Sequence, residues 1–216
     1  MRLPGKSILQ PGISHCRQIG TAMAQLHQVG KHFSLHRSNP WGFSQIQSIG
    51  KAHCEHLDKD DALLLCDELS FQHEHMDHNL PRSVIHADLF RDNALFDSQF
   101  KDDQLSGILD FYTAWHAPLL FDLTISVNNW YLGDDHYLDL NKAKSLLNDN
   151  EKHNWPTMLR AASLRFCLSR LSSQQTSRQQ FNKEAKLTLD KDPNVLKCLL
   201  LKHRENSTFC QSLIYS

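Results

Sequence analysis

No charge excess of either sign marks this sequence: 23 Lys and Arg stand against 24 Asp and Glu, a formal net charge of -1. A nucleic-acid partner is therefore not expected, because such binders cluster a basic excess. No window approaches the roughly 20 apolar residues of a membrane-spanning helix, so a membrane partner is not expected either. The opening MRLPGKSILQPG has no apolar run long enough for a signal peptide. The six cysteines, Cys16, Cys54, Cys66, Cys167, Cys198 and Cys210, include no CxxC pair and lie mostly in apolar periodic stretches. They read as free thiols of a reducing compartment, the cytoplasm. There is no HExxH: in His73-Glu74-His75-Met76-Asp77-His78 the residue four after His73 is Asp77. That string reads as a solvated helix end, since a zinc site needs ligands converging on one face. Repeats and low-complexity tracts are absent as well.

The 216 residues are 40% hydrophobic, enough for one sizeable core. We expect a single domain over 1–216. Residues 1–11, broken by Pro4, Gly5 and Pro11, read as an extended connector. Ile13, Cys16, Ile19, Met23, Leu26 and Val29 recur at helical spacing, with Gly30 as a stop. Residues 31–50, rich in Ser, Asn, Gly and Pro, read as a loop around Trp41. A helix is expected from Asp61 to Met76. Short strands follow at Ser83–Ile85, Ala94–Phe96 and Leu105–Leu109. From Pro118 the pattern is helical, with a polar loop expected at 172–190. The fold class is α+β, mainly helical with a small antiparallel hairpin.

The chemistry concentrates in Val84-Ile85-His86-Ala87-Asp88-Leu89-Phe90-Arg91-Asp92-Asn93-Ala94-Leu95-Phe96 and in Gly107-Ile108-Leu109-Asp110-Phe111. Asn93 precedes an outgoing strand and Asp110 follows a returning one. In an antiparallel hairpin those positions lie side by side. Asp88 sits on the loop that leads to Asn93. Two carboxylates and an amide oxygen therefore converge, a donor set that suits Mg2+. Phosphoryl transfer needs this combination: a metal on the phosphates and a carboxylate that accepts the proton of the attacking hydroxyl. The spacing H-x-D-x-x-x-x-N, followed by hydrophobic-D-F, matches the kinase catalytic-loop template.

This segment resembles the aminoglycoside- and choline-kinase-like phosphotransferases, and within them the bacterial homoserine kinases of that fold. The likeness extends to Arg2–Gly5, Ala24–His27, Asp67–Leu69, Phe121–Leu123, Asn128–Trp130, Leu164–Phe166 and Ser169–Leu171. It implies the mainly helical C-terminal lobe of a protein-kinase-like fold, with ATP and Mg2+ as cofactors and homoserine as the small-molecule substrate. By the same resemblance Asp88 is the catalytic base, and Asn93 and Asp110 hold the metal. His86 anchors the loop backbone and Asp122 braces the loop. Leu95 and Leu109 form an apolar floor beneath adenine. Asp122 is also a residue that suits a helix N-terminus.

Tyr112, Asn128, Trp130 and Arg165 are candidates for the acceptor pocket. Core packing is the competing account of Trp130, and an internal salt bridge or a snorkelling position that of Arg165. The family also has an N-terminal β-rich lobe with a phosphate-gripping lysine. Lys6, on the Pro/Gly-rich connector, does not match it, so a chain lacking most of that lobe is expected. Rival readings are a kinase for another small hydroxyl compound (an aminoglycoside, choline or a sugar) and a non-catalytic binding remnant.

Overall fold

In the computed structural model, the described residues are 3–35, 37–39, 41–99, 103–130, 149–179 and 193–205. The elements run α1 (Ile13–Gly30), α2 (Phe43–Cys54), α3 (Lys59–His75), β1 (Arg82–Ile85), β2 (Ala94–Asp97), β3 (Gln104–Ile108), β4 (Trp115–Pro118), α4 (Leu119–Trp130), α5 (Asp149–Gln179) and α6 (Pro193–Glu205). The chain divides into two compact units. The first comprises Met1–Asn39 and Asn79–Lys152, the second Pro40–His78 and His153–Ser216. The α+β class holds, with small antiparallel ribbons in a mainly helical chain.

The first unit contains two antiparallel ribbons. In one, β1 pairs with β4, from Arg82 opposite Pro118 to Ile85 opposite Trp115. In the other, β2 pairs with β3, from Ala94 opposite Ile108 to Asp97 opposite Gln104, with a bulge between Leu95 and Phe96. The connector adds to the second ribbon: Lys6 and Phe96 exchange both backbone hydrogen bonds, each 2.9 Å. Ile19 and Met23, one turn apart on α1, pack with Leu89, Ala94, Phe96 and Trp130. Phe96 is 1% exposed, and burial of such a side chain contributes about 1.5–3 kcal/mol. Gly30 is not needed as a left-handed stop, because the helix ends on Lys31 in a right-handed conformation. Its reason is close packing: a Cβ there would lie 2.6 Å from Ser83 Oγ and 2.9 Å from Val84 O.

The second unit is helical. Asp58 caps α3, its carboxylate accepting from Asp61 N at 3.0 Å, and Asp60 and Asp61 sit favourably in the first turn. Ile46 of α2, Leu65 and Leu69 of α3, and Leu164 and Leu168 of α5 form the core. Within it Glu68, fully buried, accepts from Arg160 at 2.6 Å (Nη2) and 3.1 Å (Nε), and from Gln72 at 2.9 Å.

Three expectations are corrected here. Helix α2 lies inside the segment read as a loop. Its buried positions are Ile46, Gly50 and His53, with Ile49 and Cys54 partly buried against the same core, so a glycine and a histidine interrupt its apolar stripe. The loop expected at 172–190 is helical through Gln179. Ser173 and Gln174 there are exposed, so no apolar stripe announces the helix. Residues 180–190 lie outside the described residues. Finally β4 was missed, being four residues that end in proline.

Candidate active site

The site begins where β1 ends. Ile85, His86 and Ala87 are fully buried, and Ala87 adopts φ 63, a left-handed conformation that disfavours any side chain. Asp122 of α4, also fully buried, holds this bend. Its Oδ1 accepts from Ala87 N at 2.8 Å, and its Oδ2 accepts from His86 N at 3.1 Å. His27 of α1 completes the clamp, with Nε2 2.9 Å from Asp122 Oδ2. A buried carboxylate is tolerable only with such partners. Its placement on the first turn of α4 also favours negative charge.

His86 then joins two segments through both ring nitrogens. Nδ1 accepts from Asp88 N at 3.2 Å, and Nε2 donates to Leu109 O at 2.8 Å. Thr113 Oγ1 donates to His86 O at 3.2 Å, and the Phe111 ring lies 4.6 Å from the imidazole. The loop carrying Asp88 is thereby tied to the segment carrying Asp110.

Asn93 makes the second tie. Its Nδ2 donates to Asp88 O at 2.8 Å and to Asp88 Oδ2 at 3.2 Å. Its own carbonyl accepts from Leu109 N at 2.8 Å. Asp110 follows directly, exposed and left-handed at φ 58, with Oδ1 accepting from Tyr112 N at 3.4 Å. Two non-glycine residues with positive φ, Ala87 and Asp110, thus flank Asp88 and Asn93. Such strain costs of order 1–3 kcal/mol each and persists only where neighbours enforce it.

The side chains at the loop are of the oxygen-donor type that a hard cation takes. Asn93 commits its nitrogen to Asp88, which leaves oxygen as the ligand it offers, and Asp88 and Asp110 add carboxylate oxygens. Among the described residues no cluster of three or more His, Cys, Asp or Glu side chains suits a metal. A cation here would complete its shell with water and substrate phosphates. The His73–His78 string forms no such cluster, and His73, His75 and His78 are exposed.

The remaining candidates separate. Leu95 is half-buried opposite Gly107, and Leu109 is half-buried with both backbone groups engaged by the site. Tyr112 is 81% exposed beside Asp110. Asn128 is buried on α4. Trp130 belongs to the core: it is 2% exposed, and its indole N–H donates to Leu89 O at 2.8 Å. It supports the loop from beneath, in keeping with the core-packing account of this residue. Arg165 is buried inside the second unit with its guanidinium 4.0 Å from the Phe166 ring centroid, an internal packing role. Three contributors were not singled out from the sequence: His27, Thr113, and Asn129, whose Oδ1 accepts from Arg91 N at 2.8 Å. His27 and Asn129 lie within the stretches Ala24–His27 and Asn128–Trp130 that carry the family resemblance, and Thr113 only follows the motif residue Tyr112.

The chain is 36% identical over 210 residues to a homoserine kinase of Methylobacillus flagellatus, a match covering 93% of this chain and 63% of that protein. It is 33% identical to a homoserine kinase of Neisseria meningitidis serogroup B, covering 92% and 65% respectively. The chain therefore spans a little under two thirds of the length of these relatives. In fold it is similar to a putative aminoglycoside phosphotransferase from Ralstonia eutropha, with TM-score 0.61 and 12% identity, covering 99% of this chain and 71% of that one. It is also similar to an amicoumacin kinase solved with AMP-PNP and Ca2+, with TM-score 0.57 and 15% identity, covering 98% and 63%. Residues 2–156, most of the chain and all of the loop just described, match the phosphotransferase enzyme family, and the chain belongs to that family.

Proposed function

We propose that this chain is the catalytic part of an ATP-dependent kinase that transfers the γ-phosphate to the hydroxyl of L-homoserine, a step of threonine biosynthesis in the cytoplasm. The observation that carries the phosphotransfer reading is the double tie, His86 Nε2 to Leu109 O and Leu109 N to Asn93 O, which joins the base-bearing loop to the Asp110 segment. Homoserine as acceptor is supported by the relatives' names.

Asp88 accepts the proton of the acceptor hydroxyl and aims its oxygen at phosphorus. Asn93 holds the Asp88 carboxylate in one orientation through Nδ2. Asp122, His27 and His86 keep the strained loop from relaxing. Asn93 and Asp110 would hold Mg2+, which when bound offsets charge on the transferring phosphates. Leu95 and Leu109 offer an apolar surface to adenine, and Tyr112, exposed beside Asp110, contacts the acceptor.

The test is a coupled assay with ATP, Mg2+ and a panel of homoserine, choline, an aminoglycoside and a sugar. It is run on this chain and on a chimera that adds the unmatched residues of the Methylobacillus relative. Phosphohomoserine as the dominant product is expected, and preference for another acceptor would overturn the substrate. Asp110→Ala should weaken nucleotide binding chiefly when Mg2+ is present. Equal losses by titration calorimetry with and without the metal would remove Asp110 from the cation site.

A further inference from the structure

Away from the loop, the second unit brings two cysteines together. Cys54, in the last turn of α2, and Cys66, in the middle of α3, have their sulfurs 2.7 Å apart and are both free. Their meeting follows from helix register. A Cβ on Gly50 would lie 2.7 Å from Leu69 Cδ1, so the glycine permits close approach of the two helices. α2 and α3 run antiparallel here. One turn on from Gly50 and about one turn back from Leu69, the next facing pair is Cys54 and Cys66. Cys54 Sγ also reaches Ala62 O at 3.9 Å, a further turn back along α3.

We infer that Cys54 and Cys66 are a reversible thiol-oxidation site that closes to an intramolecular disulfide and staples α2 to α3. A disulfide needs sulfurs about 2.0 Å apart, so closure asks for well under 1 Å of movement.

The two thiols are unequal. Cys66 is exposed, and Cys54 is half-buried against the Ile46–Leu65–Leu69 core. Burial, then the hydrogen bond with Cys66, pushes the Cys54 thiol up to about 12. Cys66 is therefore the entry point and Cys54 the resolving partner. With a hydroperoxide as oxidant, the Cys66 thiolate attacks the outer peroxide oxygen. The O–O bond breaks, the departing alkoxide takes a proton and leaves as the alcohol, and Cys66 becomes a sulfenic acid. Cys54 sulfur then attacks Cys66 sulfur. The S–S bond forms, the S–O bond breaks, and the leaving hydroxide takes the Cys54 proton as water. In total two thiols and one hydroperoxide give a disulfide, one alcohol and one water. This inference does not rest on the kinase reading.

The experiment treats the reduced 216-residue chain with near-stoichiometric hydrogen peroxide, blocks remaining thiols, digests without reduction and maps peptides by mass. One linked pair, the Cys54 and Cys66 peptides less two hydrogens, is expected, and dithiothreitol should release it. Cys66→Ser, at an exposed position, should abolish the link. Oxidised chain should melt about 5 °C above reduced chain, a rise missing in Cys66→Ser. The wild-type map needs no variant to fold. Cys66 carried to sulfinic acid with Cys54 still open to alkylation would overturn the inference. So would a Cys66 link to Cys198 or to a second chain.

Discussion

The two units are held together by different means. In the first, the backbone of the loop after β1 is pinned by buried polar groups: Asp122 alone receives His86 N, Ala87 N and His27. In the second, aliphatic residues from α2, α3 and α5 make the core, and one ion pair, Glu68 with Arg160, is buried within it. A packed helical core tolerates exchange among apolar side chains of similar volume. A hydrogen-bonded bend does not, because only certain atoms can satisfy two adjacent N–H groups. Strain is therefore concentrated in the first unit, where Ala87 and Asp110 have positive φ.

The contrast can be broken in several ways. The largest effect should come from Asp88→Asn in the active enzyme. Turnover is expected to fall about 10²–10⁴-fold while ATP binding, measured by calorimetry, persists. Near wild-type turnover would take Asp88 out of the mechanism.

Next is Arg160→Met, which strands the fully buried Glu68 carboxylate and should cost about 3–5 kcal/mol in chemical denaturation. Replacing Glu68 by Met and Arg160 by Leu together should recover most of that loss if apolar packing governs the second unit. A double variant no better than the single one would show that this unit, too, depends on a specific polar contact.

His203 gives a smaller, pH-dependent effect. Burial, then Arg160 and Lys202, pushes its imidazole from 6.5 down to about 4. The unfolded chain then binds the proton more readily than the folded one. The stabilising contribution is full above about pH 6.5, declines as pH falls toward 4, and levels off below. About 3 kcal/mol should be lost over that window, and His203→Gln should flatten that part of the stability profile. An unchanged slope in the variant would assign the acid sensitivity elsewhere.

The smallest effect sharpens the claim of strain. Ala87→Gly relieves a left-handed alanine and should stabilise the chain by up to about 1 kcal/mol, read as a rise in the denaturation midpoint. A loss of stability would mean that the alanine methyl contributes more by packing than its backbone costs.

Much of the site was legible because its logic is local. A loop of eight residues with His86, Asp88 and Asn93 between two short apolar runs can be recognised from spacing. The placement of Asn93 beside Asp110 then follows from hairpin geometry, and Leu109 N meets Asn93 O as that geometry requires. What failed to show were features whose signal is an absence. α2 turns a glycine and a histidine inward among Ile46, Ile49 and Cys54, so its apolar stripe is interrupted. Just beyond Leu171, α5 exposes Ser173 and Gln174, so that stretch reads as a loop.

The loop, its oxygen-bearing side chains, the strand-return geometry and the strongly periodic helices could be read from residue order alone, because turn chemistry and helical or strand periods act between near neighbours. Tertiary structure alone decided which candidates support and which face outward. It set Trp130 beneath the loop on Leu89 O, turned Arg165 onto Phe166, paired Glu68 with Arg160 across 92 positions, and brought Cys54 against Cys66. The physical reason is that burial is a property of partners. A side chain's role is set by the atoms that displace water from it, and those arrive from distant parts of the chain only when the whole unit closes.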